Sequence, residues 1–252
     1  MSEPTFHTWL AYGYLVMAAT TFVLLFILTA PYGRHGRPGW GPTLETRLAW
    51  VLMELPSVAV FSLCWYLGDL SSTASTLLGA MWLTHYVHRT FIFPARMRPG
   101  QARTAAVIVL MGMVFNTGNS YLNARWLYTL SPGYADSWLW DPRFLIGAAL
   151  FVAGFVINYR ADRALANLRK PGETGYKVPR GGLFEVVTCP NYFGELLEWT
   201  GFAIASWSLP AFAFVIWTFA NLAPRAIAHR KWYREKFPDF PASRRALIPY
   251  VL

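Results

Sequence analysis

Gly181-Gly182-Leu183-Phe184-Glu185-Val186-Val187-Thr188-Cys189-Pro190-Asn191-Tyr192-Phe193-Gly194-Glu195-Leu196-Leu197-Glu198-Trp199-Thr200-Gly201 places three polar side chains inside an otherwise apolar segment. Asn191, Glu195 and Glu198 recur at i, i+4, i+7, which is one stripe of a helix. The Gly181-Gly182 pair loosens the approach, and Pro190 stands where a helix can begin, so the stripe falls in the first two turns of a new helix. The rest of the chain reads as the housing of that stripe.

Composition says what kind of housing. Of 252 residues, 55% are hydrophobic and 17% aromatic, only 14% are charged, and the mean hydropathy is +0.31. That is too apolar for an ordinary soluble domain and indicates a polytopic membrane protein. Lys and Arg number 22 against 13 Asp and Glu, but they lie between the apolar runs and form no single patch, which argues against nucleic acid as a partner and for cytosolic loops facing an anionic ligand. Cys64 and Cys189 both lie at apolar segments and match no metal-ligand spacing, so neither a structural disulfide nor zinc is expected. No signal-peptide pattern precedes the first run, and Met1 to Leu10 is read as a retained N-terminus.

A spanning helix needs roughly 20 largely apolar residues. Seven runs qualify: Trp9–Ala30, Leu44–Leu67, Thr73–Phe93, Thr104–Leu130, Phe144–Leu165, Phe193–Trp207 and Leu209–Ile227. Positive charge alternates between the connections. Arg34, Arg37 and Arg47 follow the first run and Arg96, Arg98 and Arg103 the third. Arg169, Lys170, Lys177 and Arg180 follow the fifth, and Arg230, Lys231, Arg234, Lys236, Arg244 and Arg245 the seventh. The other connections carry mainly Asp69, Asp136 and Asp141 or, after the sixth run, no charge. The fold expected is an all-α integral membrane protein, a seven-transmembrane helix bundle with the N-terminus outside and the C-terminus cytoplasmic. No repeat or long linker divides it, so residues 1–252 are read as one domain. The Pro- and Gly-containing segment from Lys170 to Gly182 suits a lid or phosphate-side loop better than a strand.

Polar groups inside apolar runs require a partner or a task, because a carboxylate at the bilayer centre costs about 2.5–3.5 kcal/mol. Glu54 sits in the second run, where apolar surroundings favour a neutral acid able to donate a hydrogen bond, or else a packing acid bonded to a neighbouring helix. Tyr86 closes the third run among His85, His88 and Arg89; it is either a hydroxyl donor at the membrane boundary or part of an interfacial aromatic belt. His85 and His88 have no third ligand near them, and no metal is expected. Asn158 and Asp162 share a face, with Arg169 two turns on, as either a solvated helix end or the wall of a polar pocket. Arg225, His229, Tyr233 and Lys236 form a basic and aromatic stripe, suited to a phosphate and a ring together or to anionic lipid. This inventory fits a dinucleotide, yet no Gly-x-Gly-x-x-Gly follows a strand, so a Rossmann site is not indicated.

The chain resembles the steroid 5α-reductases nearly end to end. The resemblance is carried in order by Pro31-Tyr32-Gly33-Arg34-His35-Gly36, Glu54-Leu55-Pro56-Ser57, His85-Tyr86-Val87-His88-Arg89-Thr90-Phe91, Thr117-Gly118-Asn119, Leu168-Arg169-Lys170-Pro171-Gly172-Glu173, Gly181-Gly182-Leu183-Phe184, Asn191-Tyr192-Phe193-Gly194-Glu195 and Ala246-Leu247-Ile248-Pro249-Tyr250. The Asn-Tyr-x-Gly-Glu element alone is less specific, being similar in sterol C14-reductases, trans-2-enoyl-CoA reductases and isoprenylcysteine methyltransferases. Glu54 and Tyr86 narrow the choice.

The resemblance implies NADPH-dependent reduction of the Δ4 double bond of a 3-oxo-Δ4-steroid, with Glu54 and Tyr86 hydrogen-bonding the C3 ketone while hydride reaches C5. It implies that Trp50 lines the steroid cavity. Arg98, Asn158, Asp162, Arg169, Tyr176, Asn191, Glu195, Arg225, His229 and Tyr233 would lie around NADPH. The first four helices would form the substrate side, and the last three with their cytoplasmic loops the cofactor side. Glu198, a turn deeper than Glu195, is read as a brace against a neighbouring helix. The expected protein is a multi-pass monomer of a bacterial inner membrane or of the endoplasmic reticulum, with a steroid or sterol-like enone and the lipid bilayer as its partners. Two other functions remain open: a membrane methyltransferase using S-adenosylmethionine, which would not need Glu54 and Tyr86, and a non-catalytic sterol-binding protein.

Overall fold

The computed structural model describes residues 1–28, 39–97, 102–169, 173 and 175–252. Among these, seven long helices dominate: α1 (Glu3–Ile27), α2 (Thr46–Tyr66), α3 (Thr73–Val87), α5 (Ala106–Arg125), α6 (Pro142–Asn167), α7 (Pro190–Ser206) and α8 (Leu209–Lys236). The short α4 (Phe93–Arg96) continues α3 through a π-helical stretch at His88–Ile92, so helical backbone runs from Thr73 to Arg96. A second π-helical stretch, Trp126–Leu130, prolongs α5.

Each long helix coincides with one apolar run, and the polar stripe does begin at Pro190. One feature was not anticipated in an all-helical reading. Strands β1 (Thr43–Glu45) and β2 (Arg103–Ala105) pair antiparallel with Leu44 opposite Thr104, and they join the starts of α2 and α5. The short ribbon sets those two helices side by side.

Local chemistry explains the helix starts. The Glu45 carboxylate accepts from the Leu48 amide at 3.0 Å, and Ser72 and Ser75 close a reciprocal capping box at α3. Asp141 caps α6 just ahead of Pro142, and Ser208 caps α8 just ahead of Leu209 and Pro210.

The closest packing joins α6 to α7. A Cβ at Gly154 would lie 2.3 Å from the Glu198 amide nitrogen, and one at Gly194 would lie 2.4 Å from that of Asn158. Gly147 and Gly201 make equally tight approaches one further pair of turns along the same interface. In lipid, apolar helices gain little by merely touching, so small residues that let backbones approach are what hold such a pair together. Each glycine weakens its helix by about 1 kcal/mol relative to alanine. Their concentration at one interface follows from the contact they permit.

Behind this pair lies an aromatic core in which Trp82 stacks on Phe61 at 4.9 Å and Trp199 packs against Phe214 at 4.6 Å. At the other end, the C-terminal tail hydrogen-bonds to the start of α7: the amides of Thr188 and Cys189 donate to the carbonyls of Arg245 and Ala246 at 2.8 and 3.2 Å. Among the described residues, four helices, α1, α2, α6 and α8, are long and apolar enough to cross a membrane. The other three long helices, α3, α5 and α7, bury His85, Asn116, Asn119, Asn123 and Glu198, while α1 buries His7 and α6 buries Asn158.

Candidate active site

Glu54 stands on α2, two residues before Pro56, whose missing N–H leaves a helical carbonyl unpaired nearby. From α5, Asn116 Nδ2 donates to the Met53 carbonyl at 2.7 Å and to Glu54 Oε2 at 3.2 Å, fixing the acid against the neighbouring helix. Tyr86, at the end of α3, is buried between Trp82 and Trp199, with ring centroids 4.8 and 5.5 Å away. It lies within electrostatic reach of Glu54 and faces Ser57 and Asn119.

These segments carry buried polar atoms without a hydrogen-bond partner among the described residues, Trp50 Nε1, Thr90 Oγ1 and Ser120 Oγ, while Ser57 and Asn119 lie within reach of the Tyr86 hydroxyl. Leaving one such atom unsatisfied costs about 1–3 kcal/mol. Several such atoms on adjoining segments leave hydrogen-bonding capacity that polar atoms of a ligand would satisfy.

Arg89 connects this region to the next. The π-helical stretch that begins at His88 shifts the register of the helix just past Tyr86. The Arg89 guanidinium lies over the rings of Trp50 and Phe93, at 4.7 and 4.5 Å. It donates from Nη1 to Asp162 Oδ2 at 3.0 Å, and its Nη2 is 3.7 Å from Glu195 Oε2. Asn191 Nδ2 donates to the other Asp162 oxygen at 3.0 Å, and Asn158 Nδ2 donates to the Asn191 carbonyl at 2.9 Å. Asn158, Asp162, Asn191 and Glu195 therefore form one network across the glycine-packed α6–α7 interface, with Arg89 of the π-helical stretch after α3 closing it.

The remaining candidates fall into neighbouring groups. Arg225 Nη2 donates to the Tyr192 hydroxyl at 2.9 Å, and His229 Nε2 stands 3.4 Å from the same hydroxyl. Tyr192 is within electrostatic reach of Arg89, which links this pair to the network. Arg169 Nη1 donates to the Gly175 carbonyl at 3.2 Å, and Tyr176 packs edge-on against Trp232 at 4.9 Å, so both belong to the loop after α6. Tyr233 is buried and stacks on Phe240 at 5.4 Å, its ring inside the packing of the C-terminal segment. Arg98 lies outside the described residues. Trp50 lies against Arg89 and Phe93. Glu198 reaches α3, where its Oε1 is 2.9 Å from His85 Nδ1, with both side chains buried.

Three residues of this arrangement escaped the sequence reading as site residues. Arg89 stood beside Tyr86 among apparent interfacial anchors, Asn116 on an apolar run without a motif of its own, and Tyr192 inside the polar-stripe segment. The available signal was an arginine and an asparagine in largely apolar runs. In the loop ahead of α7, Glu185 accepts from the Gly181 amide at 2.6 Å, and with Arg244 and Arg180 nearby this holds its carboxyl below the ordinary range.

A bundle of apolar helices closed around an acid, a phenol and an arginine, with an amide and carboxylate network at one end, defines a helical membrane protein with an internal polar centre. The sequence model of the family described as 3-oxo-5-alpha-steroid 4-dehydrogenase matches residues 102–252. The chain is 44% identical to steroid 5-alpha-reductase DET2 of Gossypium hirsutum over 99% of its length and 98% of that protein. It is 44% identical to 3-oxo-5-alpha-steroid 4-dehydrogenase 1 of Homo sapiens over 96% and 94%. Steroid 5-alpha-reductase DET2 of Arabidopsis thaliana is 40% identical over 100% and 98%. The chain belongs to the 3-oxo-5-alpha-steroid 4-dehydrogenase family of oxidoreductases.

Oxidoreduction of this kind is consistent with a nicotinamide cofactor, and the donor set fits one. Carboxylates and amides such as Asp162, Glu195 and Asn191 suit ribose hydroxyls and a carboxamide, while Arg225 and His229 suit phosphate.

Proposed function

We propose that this protein reduces the Δ4 double bond of 3-oxo-Δ4-steroids with NADPH, giving the 5α-reduced ketone. The carrying observation is the convergence of Glu54 and Tyr86, from two different helices, beside buried polar atoms that have no partner. Bound NADPH supplies a hydride. In this reading Glu54 and Tyr86 hydrogen-bond the C3 oxygen, so that charge developing there while C5 accepts hydride is met by donors already in position. A proton gained at C4 completes the reduction.

Trp50 borders the steroid, and the aromatic rings around Tyr86 keep water from the reacting enone. Asn158, Asp162, Asn191 and Glu195 orient the nicotinamide and ribose portion. Arg169, Tyr176, Arg225, His229 and Tyr233, with Arg98, hold the phosphates and adenosine. Arg89 belongs to the same assignment, as the residue that ties the cofactor wall to the substrate helices.

The proposal extends to topology. All seven long helices span the membrane, the N-terminus lies outside and the C-terminus in the cytoplasm, supported by the alternation of basic connections. The protein acts as a multi-pass monomer of a bacterial inner membrane or endoplasmic reticulum.

The test is direct. Purified protein should oxidise NADPH when given a 3-oxo-Δ4-steroid, and mass and stereochemistry should identify the 5α product. Absence of turnover with any enone of a steroid panel, together with methyl transfer from labelled S-adenosylmethionine, would overturn the proposal. Tight sterol binding without any chemistry would leave a binding protein instead.

A further inference from the structure

On the face of α8 turned away from Arg225 and His229 lies a concave site of about 520 Å³ that the reductase reading does not use. Arg230, Lys231 and Arg234 of α8 and Arg245 of the C-terminal tail provide its charge, and Ile227 and Val251 part of its apolar lining. By helical periodicity, residues 227, 230, 231 and 234 project nearly opposite to the stripe of residues 225, 229, 233 and 236.

Two observations point to an anion. Arg230 is held in place, its Nε donating to the Arg244 carbonyl at 2.6 Å and its Nη2 to the Ala242 carbonyl at 3.1 Å. In that position it lies close enough to Arg234 and Arg245 to be repelled by both. The lining includes one acidic side chain, Glu235, and its carboxylate is directed to Lys231 at 3.9 Å. A fixed guanidinium facing two more is a cluster that a phosphate would relieve.

The position says which phosphate. The apolar run of α8 ends at Ile227, where the site begins, so the cations sit at headgroup depth. Beside them Tyr250 and Val251 are 79% and 73% exposed, an aromatic and an aliphatic side chain of the kind that settles at a membrane interface. A soluble anion would use the arginines but not the apolar lining. We propose that this groove binds the headgroup phosphate of an anionic diacyl phospholipid, with Ile227 and Val251 against the upper acyl chain. It is a lipid site separate from the cofactor wall.

Binding can be followed by native mass spectrometry of the full chain released from vesicles of phosphatidylglycerol and phosphatidylcholine. Retention of phosphatidylglycerol over phosphatidylcholine should fall about tenfold in the Arg234→Gln, Arg245→Gln double variant. It should persist in Arg234→Lys, Arg245→Lys. The exposed pair Arg160→Gln, Arg163→Gln removes equal charge from the cytoplasmic end of α6 and should change retention little. Equal loss in that pair would mean general electrostatics and would overturn the site, as would equal retention of both lipids by the wild type. Displacement of phosphatidylglycerol by millimolar inorganic phosphate would overturn the lipid assignment in favour of a free anion. Because Arg234 and Arg245 are exposed, the variants leave the core intact, and an unchanged melting temperature in detergent checks this.

Discussion

The two halves of the polar centre are built on opposite principles. Around Asp162 nearly every donor meets an acceptor: Arg89, Asn191 and Asn158 form a continuous network that joins the π-helical stretch after α3 to α6 and α7. Around Tyr86 the balance shifts, since Trp50 Nε1, Thr90 Oγ1 and Ser120 Oγ are buried with no hydrogen-bond partner among the described residues. A saturated network is rigid and suits a ligand bound by many fixed contacts. An unsaturated one keeps hydrogen-bonding capacity in reserve for a ligand that offers a single polar atom on an apolar body, such as a ketone on a steroid. Arg89 touches both regions, through Trp50 and Phe93 on one side and Asp162 and Glu195 on the other.

The contrast can be broken at either end. The largest effect is expected from the reserve of donors: Glu54→Gln and Tyr86→Phe should each lower steroid reduction by about 100-fold or more while NADPH binding is retained. Near wild-type rates in both variants would remove these two residues from the mechanism. Arg89→Met cuts the connection and leaves two carboxylates without their cation. It should weaken NADPH binding by about 10- to 100-fold and also slow reduction, and a change confined to one of the two measurements would show that the halves are independent.

On the networked side, Asn191→Ala and Arg225→Ala should each raise the dissociation constant of NADPH by about tenfold, with steroid binding unaltered. Titration by fluorescence of the reduced nicotinamide would decide this, and an unchanged affinity would contradict the assignment. The smallest effect concerns the loop ahead of α7. Because the Glu185 carboxyl titrates below its unfolded value, its contribution to stability is present above that value and is lost as pH falls through the folded one. Protection of the amides of residues 181–187, taken relative to their intrinsic exchange rates, should therefore decline as pH falls below about 4 in the wild type and lose this pH dependence in Glu185→Gln. The same pH dependence in the wild type and in Glu185→Gln would show that the bond to Gly181 does not hold the loop.

Much of this was legible in the chain. The seven apolar runs became seven long helices, and the stripe of Asn191, Glu195 and Glu198 lies on one of them because helical period and hydropathy are local properties. Its internal division was also partly readable: Glu195 turns toward Arg89, whereas Glu198 pairs with His85. What remained hidden depends on which helix lies next to which. Arg89 looked like an interfacial anchor until α6 and α7 were seen beside it, and the packing of Phe240 on the Tyr233 ring has no mark in the basic stripe that holds Tyr233. The ribbon of β1 and β2 escaped because three-residue strands leave no periodicity to detect.

Sequence by itself determined that this chain is an apolar helical protein with an isolated acid at Glu54, a tyrosine at Tyr86 and a polar stripe beginning at Asn191. Composition, spacing and the family motifs are written along the chain and need no partner. Tertiary structure alone decided that Gly154 and Gly194 bring two backbones into contact, that Arg89 bridges the two halves, and which polar atoms stay unpaired. Hydrogen bonds and close packing are relations between segments distant in sequence, and their energies exist only once the helices have taken their places.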